Sequence, residues 1–396
     1  MDVRKQTPPA ADPAHLSAKQ RLLILSRLDR MGKAMPTWYR VLAICVVLTA
    51  AIVVLNANRI SQLEQRTTAA EPRTEGTHRL SFAGDLDLDH YVQTLAQKDG
   101  WDSLYRLVSP LWESSDFVFA CLDGVVLSDS SVELQPLDTA EEPQPLPAEA
   151  LSAAMRAGIN VFALANDRAF DYGSAGVAQT LAALNAEGAA YAGAGENLPV
   201  AGETRFLESN GLRVGFLSCS AVNPNGPGPI DNYCLTTTAY SALYRNVYQA
   251  SQEADFVVVY VCWGELNGLS ITQGQRNVAH QLILSGADLV IGTHPHVLQP
   301  VEQYRDGWIF YSLGDLVSDR DQRGERESAL LRLDLDREAG TGVFTLIPLL
   351  LEDFRPAPTQ NSFYRNQIHR SLLRNLPEDS YSVTDDGRIQ IPIRIS

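Results

Sequence analysis

Short apolar runs alternate with amphipathic stretches along most of the chain. Runs at 80–83, 117–122, 161–165, 212–218, 256–262, 289–292 and 308–312 are rich in Val, Ile, Leu and Phe and end at turn residues. Runs of that length predict buried β-strands. Between several of them the period becomes helical and closes on glycine: 148–157 before Gly158, 176–187 before Gly188, and 273–285 before Gly286. Buried strands alternating with such helices predict an α/β domain. Two further runs, 329–335 and 343–351, flank DREAGTG and predict a closing β-hairpin. Segments 128–148 and 223–232 read as surface loops. The polar tail after Phe354 follows no clear period, and there is no internal repeat.

A different pattern lies near the N-terminus. The run from Val41 to Leu55, VLAICVVLTAAIVVL, is uncharged and follows Trp38, Tyr39 and Arg40. It is shorter than the roughly 20 residues that span a bilayer, but the aromatic flank and Asn56-Ala57 extend it. A cleaved signal peptide has an apolar core of this size. However, the 40-residue leader is long, and no small-x-small site follows directly after Leu55. A buried core helix is the third reading. The expected organisation is a basic cytoplasmic segment (1–40), a single-pass transmembrane anchor in the cell membrane (41–57), a stalk (58–78), an extracellular main domain (79–357) and a C-terminal extension (358–396).

Charge sharpens this division. The chain of 396 residues carries a formal charge of −15. Its first 40 residues hold eight Lys or Arg against three Asp, a surplus of five that leaves −20 for the remainder. A basic flank before the apolar run predicts a cytoplasmic N-terminus. A body so acidic repels polyanions, which excludes a nucleic-acid binder. Of the five cysteines, Cys45 falls in the anchor, whereas Cys121, Cys219, Cys234 and Cys262 fall in the body. They are too few for a disulfide framework, and no zinc-type CxxC occurs.

Candidate chemistry gathers after the predicted strands. These ends carry Gly84-Asp85 with Asp87 and Asp89, then Cys121-Leu122-Asp123, Asn166-Asp167-Arg168, Cys262-Trp263-Gly264-Glu265 and Thr293-His294-Pro295-His296. In α/β sheets the loops beyond the carboxyl ends converge, so these groups predict one polar site. A single Asp there is ordinarily a turn residue or helix cap. Asp87 and Asp89 read as solvated loop carboxylates. His294 and His296 flank a stiff proline and, in extended backbone, would point to one side. His15, His78, His90, His280 and His369 lack such context.

In this order, LSFAGDLDL, DFVFACLDGVV, AGINVFALANDRAFDYGSAGVAQTLAALNAEGAAYAGAGEN, ADFVVVYVCWGE, SGADLVIGTHPHVLQPVEQY and IFYSLGDLV resemble the CapA family of capsule-synthesis or poly-γ-glutamate-biosynthesis proteins over residues 79–356. The resemblance implies a metallophosphatase-like layered α/β sandwich, with buried β-sheets flanked by helices, behind one N-terminal transmembrane helix. It implies a divalent metal of Mn, Zn or Fe type, held or lost, near Asp85, Asp123, Asp167, Cys262, His294 and His296. Envelope polymer-synthesis subunits and an anionic exopolymer are the implied partners. The departures are specific. The family's Asn-Leu-Glu reads Cys121-Leu122-Asp123, Asn-Asn-His reads Asn166-Asp167-Arg168, His-Trp-Gly reads Cys262-Trp263-Gly264, and Ser-Leu-Gly-Asn reads Ser312-Leu313-Gly314-Asp315. Arg168 cannot be a general acid and is a substrate clamp at most, with Asn166 beside it as a substrate-binding residue. Cys121 and Cys262 stand at substituted site positions, where a disulfide would remove the thiolate ligand and leave Cys219 and Cys234 as the other pair; the sequence does not choose among the three connectivities of these four cysteines. The resulting expectation is a membrane-anchored protein of capsule or exopolymer synthesis with impaired or altered metal-site catalysis. The alternative is an active metal-dependent hydrolase or transferase acting on an ester, phosphoester or amide.

Overall fold

The computed structural model describes residues 38, 41–54, 73–129, 131–137, 143–222, 234–322 and 324–394. The chain divides into two units, 1–64 and 65–396. In the first, residues 41–54 are helical and their apolar side chains are exposed. No helix among the described residues is long and apolar enough to cross a membrane. The expected basic segment apart from Trp38, most of the stalk and the 223–232 loop lie outside the described residues.

The second unit runs β1 (His78–Asp87), α1 (His90–Asp99), β2 (Phe117–Asp123), α2 (Ala148–Arg156), β3 (Val161–Ala163), α3 (Gly173–Glu187), β4 (Ala190–Ala192), β5 (Arg205–Ser209), β6 (Leu212–Ser220), α4 (Leu243–Glu253), β7 (Phe256–Cys262), α5 (Gln273–Leu284), β8 (Leu289–Thr293), β9 (Leu298–Tyr304), β10 (Gly307–Leu313), β11 (Asp315–Val317), β12 (Glu327–Asp336), β13 (Thr341–Glu352), β14 (Arg355–Pro358), α6 (Ser362–Leu373), β15 (Ser382–Val383) and β16 (Ile389–Arg394), with short bridging elements between. One sheet has the order β15-β16-β13-β12-β1-β2-β3-β4, with β11 also on β1 and β14 on β13. The other has the order β9-β10-β8-β7-β6-β5. Strands β1 to β4 are mutually parallel, as are β6, β7, β8 and β10. The predicted closing hairpin is β12–β13, paired antiparallel.

Period-two alternation assigns each side chain to a layer. In β7, Phe256, Val258 and Tyr260 enter the core shared with the first sheet. Val257, Val259 and Val261 face the other way, against Leu243 and Val247 of α4 and Ala279 and Leu282 of α5. In β2, Phe119 points between the sheets, while Val118 and Ala120 meet the α2 and α3 side chains. The result is helix, sheet, sheet, helix: an α/β sandwich. Aromatic contacts stitch the middle, with Phe119 stacked on Phe82 at 4.9 Å and edge-on to Phe216 of the opposite sheet at 5.3 Å. Offset and edge contacts of this kind add about 0.5–1.5 kcal/mol each beyond area burial. The tail that lacked a sequence period joins the same body. Ile368 and Leu372 of α6 and Ile389 and Ile391 of β16 are fully buried in the inter-sheet core.

One crossing positions everything that follows. β10 belongs to the second sheet, yet β11, one residue later, pairs in parallel with β1 of the first, with Asp315 opposite Asp85. Gly314 makes the swerve at φ +69, where a side chain would be strained. A Cβ at Gly84 would run into the Gly314 carbonyl oxygen. The phenol of Tyr260 reinforces the join by donating to Ala83 O at 3.0 Å across the sheets.

Gly84→Ala should therefore lower the unfolding free energy by about 1–3 kcal/mol or more. Gly274→Ala, whose Cβ would meet only Thr272 Oγ1 at 3.7 Å, should leave it unchanged or slightly raised. Urea midpoints of the two variants test this, and equal midpoints would refute the packing argument.

Candidate metal centre

The crossing brings the carboxyl ends of both sheets together. β1 delivers Asp85, β2 Asp123, the turn after β3 Asp167, β7 Cys262, the turn after β8 His294 and His296, and β11 Asp315. His294 N–H donates to Asp85 Oδ2 at 3.1 Å, tying β8 to β1. Among the described residues, two groups have donor atoms all within 4.8 Å of one another: Asp167 with Cys262 and His294, and Asp85 with His296 and Asp315. The first is partly open and the second fully buried. His294 Nδ1 lies 3.0 Å from Asp167 Oδ1, and the Cys262 thiol donates to the same oxygen at 3.5 Å. His296 Nδ1 lies 2.8 Å from Asp315 Oδ1.

The histidine pair departs from the expected extended backbone. His294 and His296 sit at φ +87 and +55, a left-handed conformation that is costly for residues with a Cβ. The tight turn is needed because each ring serves a different carboxylate; the rings lie 6.0 Å apart and tilted. Neither of the pairings the sequence left open, Cys121–Cys262 and Cys219–Cys234, is formed, and every cysteine is a free thiol. Each site thiol is turned to its own neighbours: Cys262 to Asp167, and Cys121 to Asp85 and the Asn166 amide.

Asn166 and Arg168, the expected substrate contacts, have other bonds. Asn166 Oδ1 accepts from the backbone N–H groups of Arg168 and Ala169 at 3.1 and 2.8 Å, and its Nδ2 donates to Leu122 O at 2.7 Å. That amide holds the turn in shape. The Arg168 guanidinium pairs with Asp89 at 2.5 Å, Asp171 at 2.8 Å and Asp87 at 3.9 Å. Asp87 and Asp89 are consequently not solvated loop carboxylates but 3% and 4% exposed. The sequence carried a signal for them. In DLDLD, Leu86 and Leu88 are fully buried against the helical layer, so strand alternation sends Asp85, Asp87 and Asp89 to the opposite face. Asp315 was also overlooked as a site residue, although Gly314-Asp315 repeats the Gly84-Asp85 pattern after an apolar strand.

The electrostatics are those of carboxylates short of water. Burial, helped by the charge of Asp315 and opposed by His296, pushes Asp85 up to about 6. Burial and the neighbouring Asp89 push Asp87 up to about 7 against Arg168. Burial, with the charge of Asp167 next, pushes Asp123 well above the usual carboxylate range. Asp167 goes the other way. Burial opposes its ionisation, but the His294 hydrogen bond and the charges of both histidines together bring it down to about 2. For His296, burial works downward while the charge and hydrogen bond of Asp315 lift it to about 10. Burial, then the charges of Asp85 and Asp167 respectively, raise the Cys121 and Cys262 thiols. Three buried carboxylate oxygens of the crevice, Asp87 Oδ1, Asp123 Oδ1 and Asp315 Oδ2, have no hydrogen-bond partner, and that of Asp87 faces the Arg168 guanidinium at 3.9 Å. Unpaired buried acceptors beside imidazoles and a thiol are donors that fit a cation.

The family described as bacterial capsule synthesis protein PGA_cap matches residues 79–320. The chain is 28% identical over 394 residues to the capsule biosynthesis protein CapA of Bacillus anthracis, covering 96% of this chain and 91% of that one. It is 28% identical over 324 residues to the PGA biosynthesis protein CapA of Bacillus subtilis (strain 168), covering 79% and 82%. A probable polyglutamine synthesis accessory protein of Mycobacterium tuberculosis is 28% identical over 242 residues, covering 54% of this chain and 62% of that one.

Removing the guanidinium strands the acids around it. Arg168→Ala should destabilise the metal-free protein by about 3–5 kcal/mol near neutrality, the usual range when one partner of a buried ion pair is lost. The sign with pH follows from the raised carboxyls. Asp87 already binds its proton more tightly folded than unfolded, so its ionisation costs stability as pH rises from about 4 to about 7. Losing Arg168 raises such values further. The deficit relative to the unsubstituted chain should therefore be smaller at about pH 5 than at about pH 8. Urea unfolding at both, in chelator, measures it, and a pH-independent deficit would refute the assignment.

Proposed function

This chain belongs to the bacterial capsule synthesis family PGA_cap, and on that footing we propose a membrane-anchored component of capsule or poly-γ-glutamate-type exopolymer synthesis whose site binds a divalent cation but catalyses weakly. The apolar run 41–55 and its basic flank support the anchor, with the N-terminus cytoplasmic and the main domain outside. The observation that carries the cation is the pair of donor groups at one meeting of strand ends, with unpartnered oxygens on Asp123 and Asp315. Asp85, Asp123, Asp167, Cys262, His294, His296 and Asp315 would hold metal of Mn, Zn or Fe type. A cation there would polarise a phosphoryl or carbonyl oxygen.

Weak catalysis follows from the turn after β3. Where relatives of the resemblance place an imidazole, this chain has Arg168, whose proton is held further by Asp123, Asp89 and Asp87. A guanidinium clamped by three carboxylates does not donate a proton to a leaving group. The neighbouring amide of Asn166 is occupied by the turn. The protein's contribution to polymer assembly is then binding of, or through, a cation rather than rapid bond cleavage. An active hydrolase or transferase for an ester, phosphoester or amide is the competing reading.

The full chain, purified in detergent, should contain stoichiometric divalent metal that is lost in the Asp315→Asn/His294→Ala double variant. Its phosphodiesterase and polyglutamate-cleaving rates should lie near background, and deletion of 41–57 should release it from membranes. Metal-free protein would remove the cation from the proposal, and robust turnover abolished by His294→Ala would establish the enzymatic reading instead.

A further inference from the structure

Each donor group offers the same charge by different atoms. Asp167, Cys262 and His294 present one carboxylate oxygen, one sulfur and one imidazole nitrogen, whereas Asp85, His296 and Asp315 present two carboxylates and one imidazole. With the thiol as thiolate, each set by itself carries two negative charges and one neutral ring, the charge of one divalent ion, and the Asp123 carboxylate is a charged neighbour of both Asp167 and Asp85. Ligand softness, not charge, is what distinguishes them. Sulfur and nitrogen favour zinc-like ions, and carboxylate oxygens favour manganese- or magnesium-like ones. The two groups also differ in enclosure. The sulfur-containing set is partly open, with Asp167 at 27% side-chain exposure, and the oxygen-rich set is sealed, with Asp315 and His296 at 0% and 3%.

We infer that the two half-sites are chemically sorted: Asp167–Cys262–His294 takes a thiophilic cation of the zinc type, and Asp85–His296–Asp315 takes a harder, oxygen-preferring cation of the manganese type. This rests on the cation-binding reading above and adds which residues select which ion. Cys262 is the selecting residue. Replacing the imidazole of the family pattern by sulfur leaves the charge and coordination of the sealed set untouched and alters only the open one. Cys121, the other buried thiol here, belongs to neither group; it is turned to Asp85 of the sealed set, and Asn166 Nδ2 contacts it at 3.6 Å. It is the internal control.

Cobalt(II) reports sulfur ligation directly, because a thiolate bound to it gives an intense near-ultraviolet charge-transfer band. The full chain, stripped with chelator under reductant and reloaded with cobalt, should show that band. Cys121→Ser should retain it. Cys262→Ser should abolish it and weaken zinc binding by more than about tenfold, with manganese binding, followed by electron paramagnetic resonance, little changed. Asp315→Asn should do the reverse, losing the manganese signal and keeping the cobalt band. Cys262→His guards against a folding artefact, since it should still bind cobalt while lacking the band. A band that survives Cys262→Ser, or that disappears in Cys121→Ser, would overturn the assignment. So would manganese and cobalt competing for one position. Cobalt and zinc bound with no band at all would sink this inference alone, whereas a chain that binds no cation would sink the underlying reading with it.

Discussion

Electroneutrality in a dry crevice is the constraint on which this structure turns. Asp85, Asp87, Asp89, Asp123 and Asp315 are each less than 5% exposed where the two sheets meet. Carboxylates taken out of water must be paired, protonated or bound to metal. The chain brings its own cations to part of the crevice: Arg168 for Asp87, Asp89 and Asp171, Arg320 for Asp87 at 3.4 Å, and His296 for Asp315. The Arg168 charge also acts on Asp123, yet Asp123 Oδ1 and Asp315 Oδ2 keep no hydrogen-bond partner. The left-handed histidine turn and the glycine-on-glycine approach of β1 and β11 are the backbone adjustments that bring nitrogen and oxygen donors to the join of the sheets.

Arg168 fits this account as a rebuilt corner rather than an eroded one. The carboxylates it pairs with come from separate parts of the chain, Asp87 at the end of β1, Asp89 just beyond it and Asp171 three residues on, with the charge of Asp123 at the end of β2 acting on it as well. An imidazole at 168 would reach fewer of them and carry its charge only part of the time. A permanent cation stabilises the acid-rich edge at every physiological pH, at the expense of proton transfer. The turn that contains it is held by Asn166 independently of what occupies 168.

The layered fold was legible wherever burial made a strand uniformly apolar. The run 256–262 coincides with β7, and 117–122 falls one residue short of β2. The reading of β1 stopped at Ala83 because the next residues are Gly and Asp, although the strand continues to Asp87. There a strand lines a charged crevice, and apolar content ceases to mark it while alternation does not. Strands at or next to the sheet edges were opaque for a related reason. β9 contains Gln299, Pro300 and Glu302, and β16 contains Gln390 and Pro392, so neither forms an apolar run. The strand-end rule named Asp85, Asp123, Asp167, Cys262, His294 and His296, and the fold groups Asp167 with Cys262 and His294, and Asp85 with His296 and Asp315. The rule could not supply the change of sheet between β10 and β11, which is a long-range packing event, and so Asp315 went unmarked.

That change of sheet also imposes an order in time. Asp85 leaves the ribosome early, yet the backbone of His294, its hydrogen-bond partner, lies 209 residues further along. β1 likewise waits for β11 and β12 on one flank, and the central core waits for α6 and β16. Pairings this distant in sequence form slowly. Until the second half is made, β1 has no partners on its β11–β12 flank and Asp85 lacks the His294 amide, whereas Arg168 is already present for Asp87 and Asp89. Each donor group combines residues from both halves of the domain, so a cation bound there would be the signature of a finished molecule.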